Sequence, residues 1–250
     1  MKSVRIYFLF SVVFFTLGKN ELSAQKLHFG PEVGYLTDMK IRFNPTQVGN
    51  FVIAPTYMNN KFYDGYRVGL FVEQRISPSF GMKVGGGFSE TFGGGNAYVI
   101  ASGLSIMGTA VDHQIIDLNA TGSVFLFPNT RSQFARNLQL NIGASYWRFG
   151  VMRETPLDLV PEEPGMPASV LFFNEIIRYQ YAIEQSFLKN VFAVRVGLPL
   201  PITKRFFVEG IYERTITPVS RQIVYRDMAY RFEQNTQRIV ISVGYRFGRK

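Results

Sequence analysis

The sequence predicts an all-β fold: an eight-stranded antiparallel up-and-down transmembrane β-barrel with long external loops. Three observations lead there. Eight segments alternate apolar and polar residues at period two, as strands with one face in an apolar medium do. Their connections run short, long, short, long, which puts every long connection at one end. The N-terminus carries the one long apolar run, and it has the shape of an export signal.

That run is "MKSVRIYFLFSVVFFTLGKNELSAQK". Lys2 and Arg5 form a positive start, Ile6 to Leu17 a short apolar middle, and "LSAQ" supplies small residues for cleavage after Ala24 or Gln25. It is too short and too N-terminal for a spanning helix. The expected organisation is therefore a signal peptide over residues 1–24 and a barrel domain over 25–250. Cleavage removes Lys2, Arg5, Lys19 and Glu21, and takes the net charge from +9 to about +7. The absence of cysteine excludes disulfides, thiolate metal sites, a cysteine nucleophile and a lipidated N-terminal cysteine.

The strands follow in order. "KLHFGPEVGYL" puts Leu27, Phe29, Val33 and Tyr35 opposite His28, Gly30, Glu32 and Gly34, with Pro31 awkward because it cannot donate to a ladder. "GYRVGLFVEQRI" sets Tyr66, Val68, Leu70 and Val72 against Arg67, Gly69, Glu73 and Arg75. "SFGMKVGGGFSETF" sets Phe80, Met82, Val84 and Phe88 against Lys83 and glycines. The fourth and fifth segments carry Ile116, Leu118, Leu140 and Ile142 on the apolar face, and Asp117, Asn119, Asn141 and Ser145 on the other. "NVFAVRVGLPL" and "RFFVEGIYERT" place Arg195, Glu209 and Glu213 on the polar face. The last, "RIVISVGYRFGRK", aligns Ile239, Ile241, Val243, Tyr245 and Phe247 on one face, and leaves Val240 as the sole apolar member of the other.

"SPS", "PNTRSQFAR" and "PITK" are the short connections. The long ones run over about residues 37–64, 91–112, 151–190 and 217–237. An even strand number puts both chain ends on the short-turn side. Tyr and Phe gather near strand ends, as interfacial girdles require. A soluble ligand-binding barrel of the lipocalin type, with its apolar face inward, is the competing closure. Its solvent face would be denser in Lys, Glu and Thr than the glycine-rich polar face here. Small residues with a few opposite charges suit the narrow lumen of eight strands. Glu32, Arg67, Glu73, Arg75, Lys83, Asp117, Arg195, Glu209, Glu213 and Arg238 are the expected lumen charge network, with Arg246 on the same face. Buried charges must be paired. Arg238 is expected to reach Glu209 or Glu213, and Glu32 across the closure.

The export signal, the eight alternating segments and the terminal "VGYRF" together resemble the small outer-membrane β-barrel proteins of Gram-negative bacteria, the porin-like or OmpA-type membrane domains. The resemblance spans essentially the whole exported chain and is one of architecture. It implies a place in the outer membrane. It also implies that the last strand is read by the barrel-assembly machinery, with Ser242, Gly244, Tyr245 and Phe247 in the recognised positions. Here "GRK" follows Phe247, where the family ends on the aromatic residue.

Catalytic chemistry is thinly supplied. Asp112-His113 near the long-loop end, with Ser102 and Ser105 before it, is the candidate for a lipid-modifying or proteolytic site. Neighbours in a strand point to opposite faces, so a polar rim residue is the plainer reading, and His28 reads as a lumen or turn residue. No enzyme, cofactor or metal is expected. "RETPLDLVPEEPGMPAS" reads as an exposed irregular loop. "GGGNAYVIASGLSIMGTA" is apolar enough to fold over the mouth or to lengthen its strands. Arg221, Arg226, Arg231 and Arg238 form an arginine row. In this compartment two readings stand side by side: contact with outer-membrane lipid, lipopolysaccharide phosphate in particular, or a strand extension whose arginines are merely solvated; nucleic acid is not expected. The expected function is structural or in surface interaction, the lumen mostly filled by side chains. A small porin-like channel stands second and an outer-membrane lipid-modifying enzyme third.

Overall fold

The computed structural model describes residues 27–55, 64–92, 97–102, 105–110, 113–151 and 159–247. In chain order the first strands are β1 (Leu27–Arg42), β2 (Thr46–Val48), β3 (Phe51–Pro55), β4 (Asp64–Arg75) and β5 (Phe80–Phe92). Then come β6 (Ala97–Ser102), β7 (Ser105–Ala110), β8 (His113–Phe125), helix α1 (Gln133–Arg136), β9 (Gln139–Val151) and helix α2 (Ala168–Gln185). β10 (Asn190–Pro201), β11 (Phe206–Thr215), β12 (Ser220–Tyr225) and β13 (Met228–Tyr245) complete the chain.

Eight of these form the wall, in the order β1-β4-β5-β8-β9-β10-β11-β13, and β13 pairs back onto β1. Every wall pairing is antiparallel and, apart from the closing pair of β1 with β13, joins consecutive wall strands, as an up-and-down barrel requires. Closure leaves no wall strand with an unpaired edge. The seam runs from Glu32↔Gly244 to Arg42↔Asn235, with a bulge between Thr37 and Lys40, and Phe29 and Phe247 exchange backbone bonds at its end.

Burial is inverted relative to a soluble protein. On the outer face Leu70 is 68 % and Val33 58 % exposed, while Glu209, Glu213 and Arg238 inside are 0 % exposed. Water would penalise such a belt; hydrocarbon does not. The lipocalin-type alternative is overturned by this polarity, since its apolar face would point inward. The fold is a transmembrane β-barrel of the outer-membrane kind.

The long connections fold further than the expected irregular acidic loop and the expected mouth-covering or strand-lengthening apolar stretch. β2, β3, β6 and β7 make a separate four-stranded sheet, β12 doubles back on the outer part of β13, and α2 packs against β12. Val48, Phe51, Ile53, Ile100, Tyr179, Ile183, Ile223 and Phe232 from these elements share one buried apolar core. The outer end thus carries a folded cap. The acidic stretch at 159–167 is exposed and irregular, as expected, but α2 follows it directly. The export signal lies outside the described residues.

Candidate functional site

The lumen is built from the inward residues of the wall and closes in three layers. At the short-turn end Phe71 and Phe207 meet edge to face at 5.4 Å. Arg246 lies over the Phe207 ring at 4.5 Å and pairs with Glu73 at 3.2 Å. The missing side chain of Gly244 makes room for this, because a Cβ there would fall 2.1 Å from the Phe207 ring.

The middle layer is ionic. Lys83 bridges Glu32 at 3.1 Å and Glu209 at 2.5 Å. Arg67 reaches Glu32 and donates two bonds to Asp117, at 2.9 and 2.8 Å. Arg238 donates to Glu213, to Asp117 at 3.3 Å and to Ser89 at 2.9 Å. Arg195 pairs with Glu213 at 3.1 Å, and the Asn141 amide donates to Glu209 at 2.8 Å. Four cations and four carboxylates therefore balance in this layer among the described residues. Glycine again supplies space: the Glu209 carboxylate occupies the site of a Cβ on Gly197, and the Arg67 guanidinium that of one on Gly87.

The outer layer is apolar. Leu36, Ile115, Trp147, Phe149, Val191, Ile211 and Val240 fill the mouth, and Phe187 and Leu188, just after α2, insert from above. Arg238 lies 4.3 Å from the centre of the Trp147 ring, which joins the two layers.

Of the ten charges expected in one network, Glu32, Arg67, Lys83, Asp117, Arg195, Glu209, Glu213 and Arg238 come together. Glu73 stands apart with Arg246. Arg75 is not part of it: its guanidinium bonds the carbonyls of Ser77 and Pro78 and stacks on Phe125 at 3.8 Å. The reason is position, since Arg75 ends β4 where the chain turns and backbone acceptors are nearest. Arg238 reaches Glu213, and its second carboxylate is Asp117 in place of Glu209 or Glu32. It is thereby withdrawn from the expected arginine row. In the cap, Arg226 pairs with Glu175 at 2.5 Å and Arg231 with Glu233 at 3.1 Å, which divides that row further.

His113 is not a rim residue. Its ring is buried between Phe149, 5.5 Å away, and Phe187, 4.7 Å away, so no substrate reaches it. Asp112 lies outside the described residues, as do the side chains of Ser102 and Ser105. His28 is half-buried near the short-turn end of β1. Tyr245 and Phe247 stack outward with Phe206 and Phe29 in a girdle at the chain ends.

The cap presents a cleft of about 450 Å³ beside α2. Tyr179 and Tyr225 stack at 4.1 Å in its wall, and the Tyr179 hydroxyl donates to the Val48 carbonyl at 2.6 Å. Burial pushes the Tyr179 phenol up, out of the usual tyrosine range. Glu175 accepts from Tyr225, Arg178 and Arg226, and Arg178 continues to Glu162 at 2.8 Å. The hydrogen bond from Arg178, aided by one from Asn174, holds the Glu162 carboxyl below its ordinary value. Leu171, Phe172, Met228 and Tyr230 also line it. Arg226 and Asp227 at the β12–β13 turn both adopt positive φ, 48° and 62°, the geometry of a two-residue hairpin.

Sequence reasoning missed α2 and with it Tyr179, Phe187 and the cleft. The signal was present: Ile176, Tyr179 and Ile183 recur at helical spacing.

No protein-family model matches the chain, and no curated protein matches it. Solved structures similar to it include the outer-membrane protein OprG from Pseudomonas aeruginosa, at 10 % identity and TM-score 0.45, covering 89 % of this chain and 96 % of that one. Ail, the attachment invasion locus protein of Yersinia pestis, shows 13 % identity and TM-score 0.39, covering 88 % and 99 %. The outer-membrane protease OmpT from Escherichia coli shows 8 % and 0.28, covering 90 % and 96 %. At such scores the barrel rests on its own strand pairings and apolar belt.

Proposed function

We propose that this chain is an integral outer-membrane barrel that holds a folded cap at the cell surface, with a lumen closed to ions. The observation that carries the reading is the succession of aromatic, ionic and apolar layers through the lumen, continued upward by the cap core through Phe187. A conducting pore needs a continuous file of water, and eight strands leave little room beyond side chains. The cap cleft is the surface on which a partner would act, since its lining mixes exposed Leu171 and Met228 with the Glu175–Arg226 pair. Steady openings in planar-bilayer recordings of the wild-type protein would sink the closed-lumen reading.

Lipid contact is the second part of the proposal. Arg148 and Arg214 are exposed on the lipid-facing side, one alternation beyond Tyr146 and Tyr212, where outer-leaflet phosphates lie. They support lipopolysaccharide as a partner better than the divided arginine row does. The closing strand, with Gly244 turned inward and Tyr245 and Phe247 outward, is the part offered to the barrel-assembly machinery.

A further inference from the structure

Exposed cations without an ion pair among the described residues occur at both ends, Arg148, Arg214 and Arg221 towards the cap, but at the short-turn end they cluster in connections free of acidic residues. In the cap, Arg178, Arg226 and Arg231 each have a carboxylate within 3.1 Å. At the short-turn end the connections 76–79, 126–138 and 202–205 contain no Asp or Glu at all, yet carry Arg131, Arg136, Lys204 and Arg205. All four side chains are exposed, and none forms an ion pair among the described residues. Arg205 donates to the Tyr245 hydroxyl at 2.9 Å, which sets its guanidinium at the level of the aromatic girdle. Arg75, at the same end, is held by the carbonyls of Ser77 and Pro78 and on the Phe125 ring. The one described carboxylate there, Glu73, is taken by Arg246.

Apolar groups interleave with these cations. Phe134, between Arg131 and Arg136, is 56 % exposed, and Phe127 is 53 % exposed. Ile202, two residues before Lys204, is 64 % exposed. α1 buries no residue of its own, so nothing in the protein rewards holding Phe134 outward. Exposed aromatics beside unpaired cations, at the edge of an apolar belt, match the acyl–headgroup boundary of a bilayer whose phosphates are negative.

We propose that the short-turn rim is a binding surface for anionic phospholipid headgroups. Arg131, Arg136, Lys204 and Arg205 hold the phosphates, while Phe127, Phe134 and Ile202 enter the acyl boundary. The proposal rests on the membrane reading of the barrel. It makes the turns a selective contact with the lipid leaflet on that side.

The test is native mass spectrometry of the full-length folded protein from micelles containing equal amounts of phosphatidylglycerol and phosphatidylcholine. The wild type is expected to retain phosphatidylglycerol in preference by about fivefold or more. The Arg131→Ser/Arg136→Ser variant loses most of that preference. The charge-matched cap variant Arg221→Ser/Arg231→Ser keeps it. Free glycerol phosphate should not displace the lipid; displacement would overturn the lipid as source in favour of a soluble phosphate. Equal retention of the two lipids by the wild type, or equal loss in the two variants, would also overturn the proposal. Gel mobility before and after boiling is read on the same samples. A protein that shows no shift and partitions as soluble fails as a membrane barrel, a result separate from loss of lipid preference in a shifted, folded barrel.

Discussion

At the closure seam three residues depend on one another. Pro31 lacks the N–H that would face Tyr245, and a Cβ on Gly30 would lie 1.6 Å from the Tyr245 carbonyl oxygen. The strands can therefore approach closely only because Gly30 is bare, and the exchanged bonds between Phe29 and Phe247 then lock the end. Deeper in the lumen, Asp117 serves two guanidiniums, Arg67 and Arg238. Asp117→Asn leaves both short of charge, and breaking such a buried pair costs about 3–5 kcal/mol. The urea midpoint of the heat-modifiable band should fall accordingly; an unchanged midpoint would mean the ionic layer is not structural. That these charges face inward was legible from alternation alone. Which pairs form was not: Arg238 reaches Asp117 across the lumen, and neither sequence separation nor a strand-neighbour rule specifies a cross-lumen contact.

At the scale of elements, the wall strands were legible because period-two alternation and short turns mark them. The cap was not, because its strands are short and α2 lies behind a Pro-rich acidic stretch that reads as a loop. α2 is tied to that stretch through Arg178 and Glu162, whose carboxyl is held below its ordinary 4.5. A depressed carboxyl contributes stability that is present above its unfolded value and lost as pH falls through its folded value. Hydrogen-exchange protection over residues 159–178 should therefore hold at neutral pH and weaken as pH drops below about 4.5, and Glu162→Gln should remove that dependence. Protection equally strong in wild type at pH 3 and pH 7 would contradict the tie. The closing strand carries a separate expectation. Phe247→Ala removes the ring stacked on Phe29 at 5.5 Å and, on the proposed reading, one position read by the assembly machinery, so the heat-modifiable fraction in membranes should drop several-fold while synthesis is unchanged. Full assembly of that variant would show that the following "GRK" or the upstream strand suffices.

For the whole molecule, an apolar belt outside and paired charge inside suit a barrel in lipid, and on the proposed reading the lumen admits no water. On the same reading the cap extends this closure beyond the barrel wall. Phe187 belongs to the packing of both the cap core and the mouth layer, so the two close together. The architecture was legible in the sequence down to the number and order of wall strands, whereas the role of the outer connections appears only once they are folded against one another. The sharpest check is single-channel recording of the reconstituted wild-type protein in planar bilayers. A closed lumen predicts a folded, inserted protein with no steady conductance across the accessible voltage range. Reproducible, long-lived openings from the same preparation would contradict it.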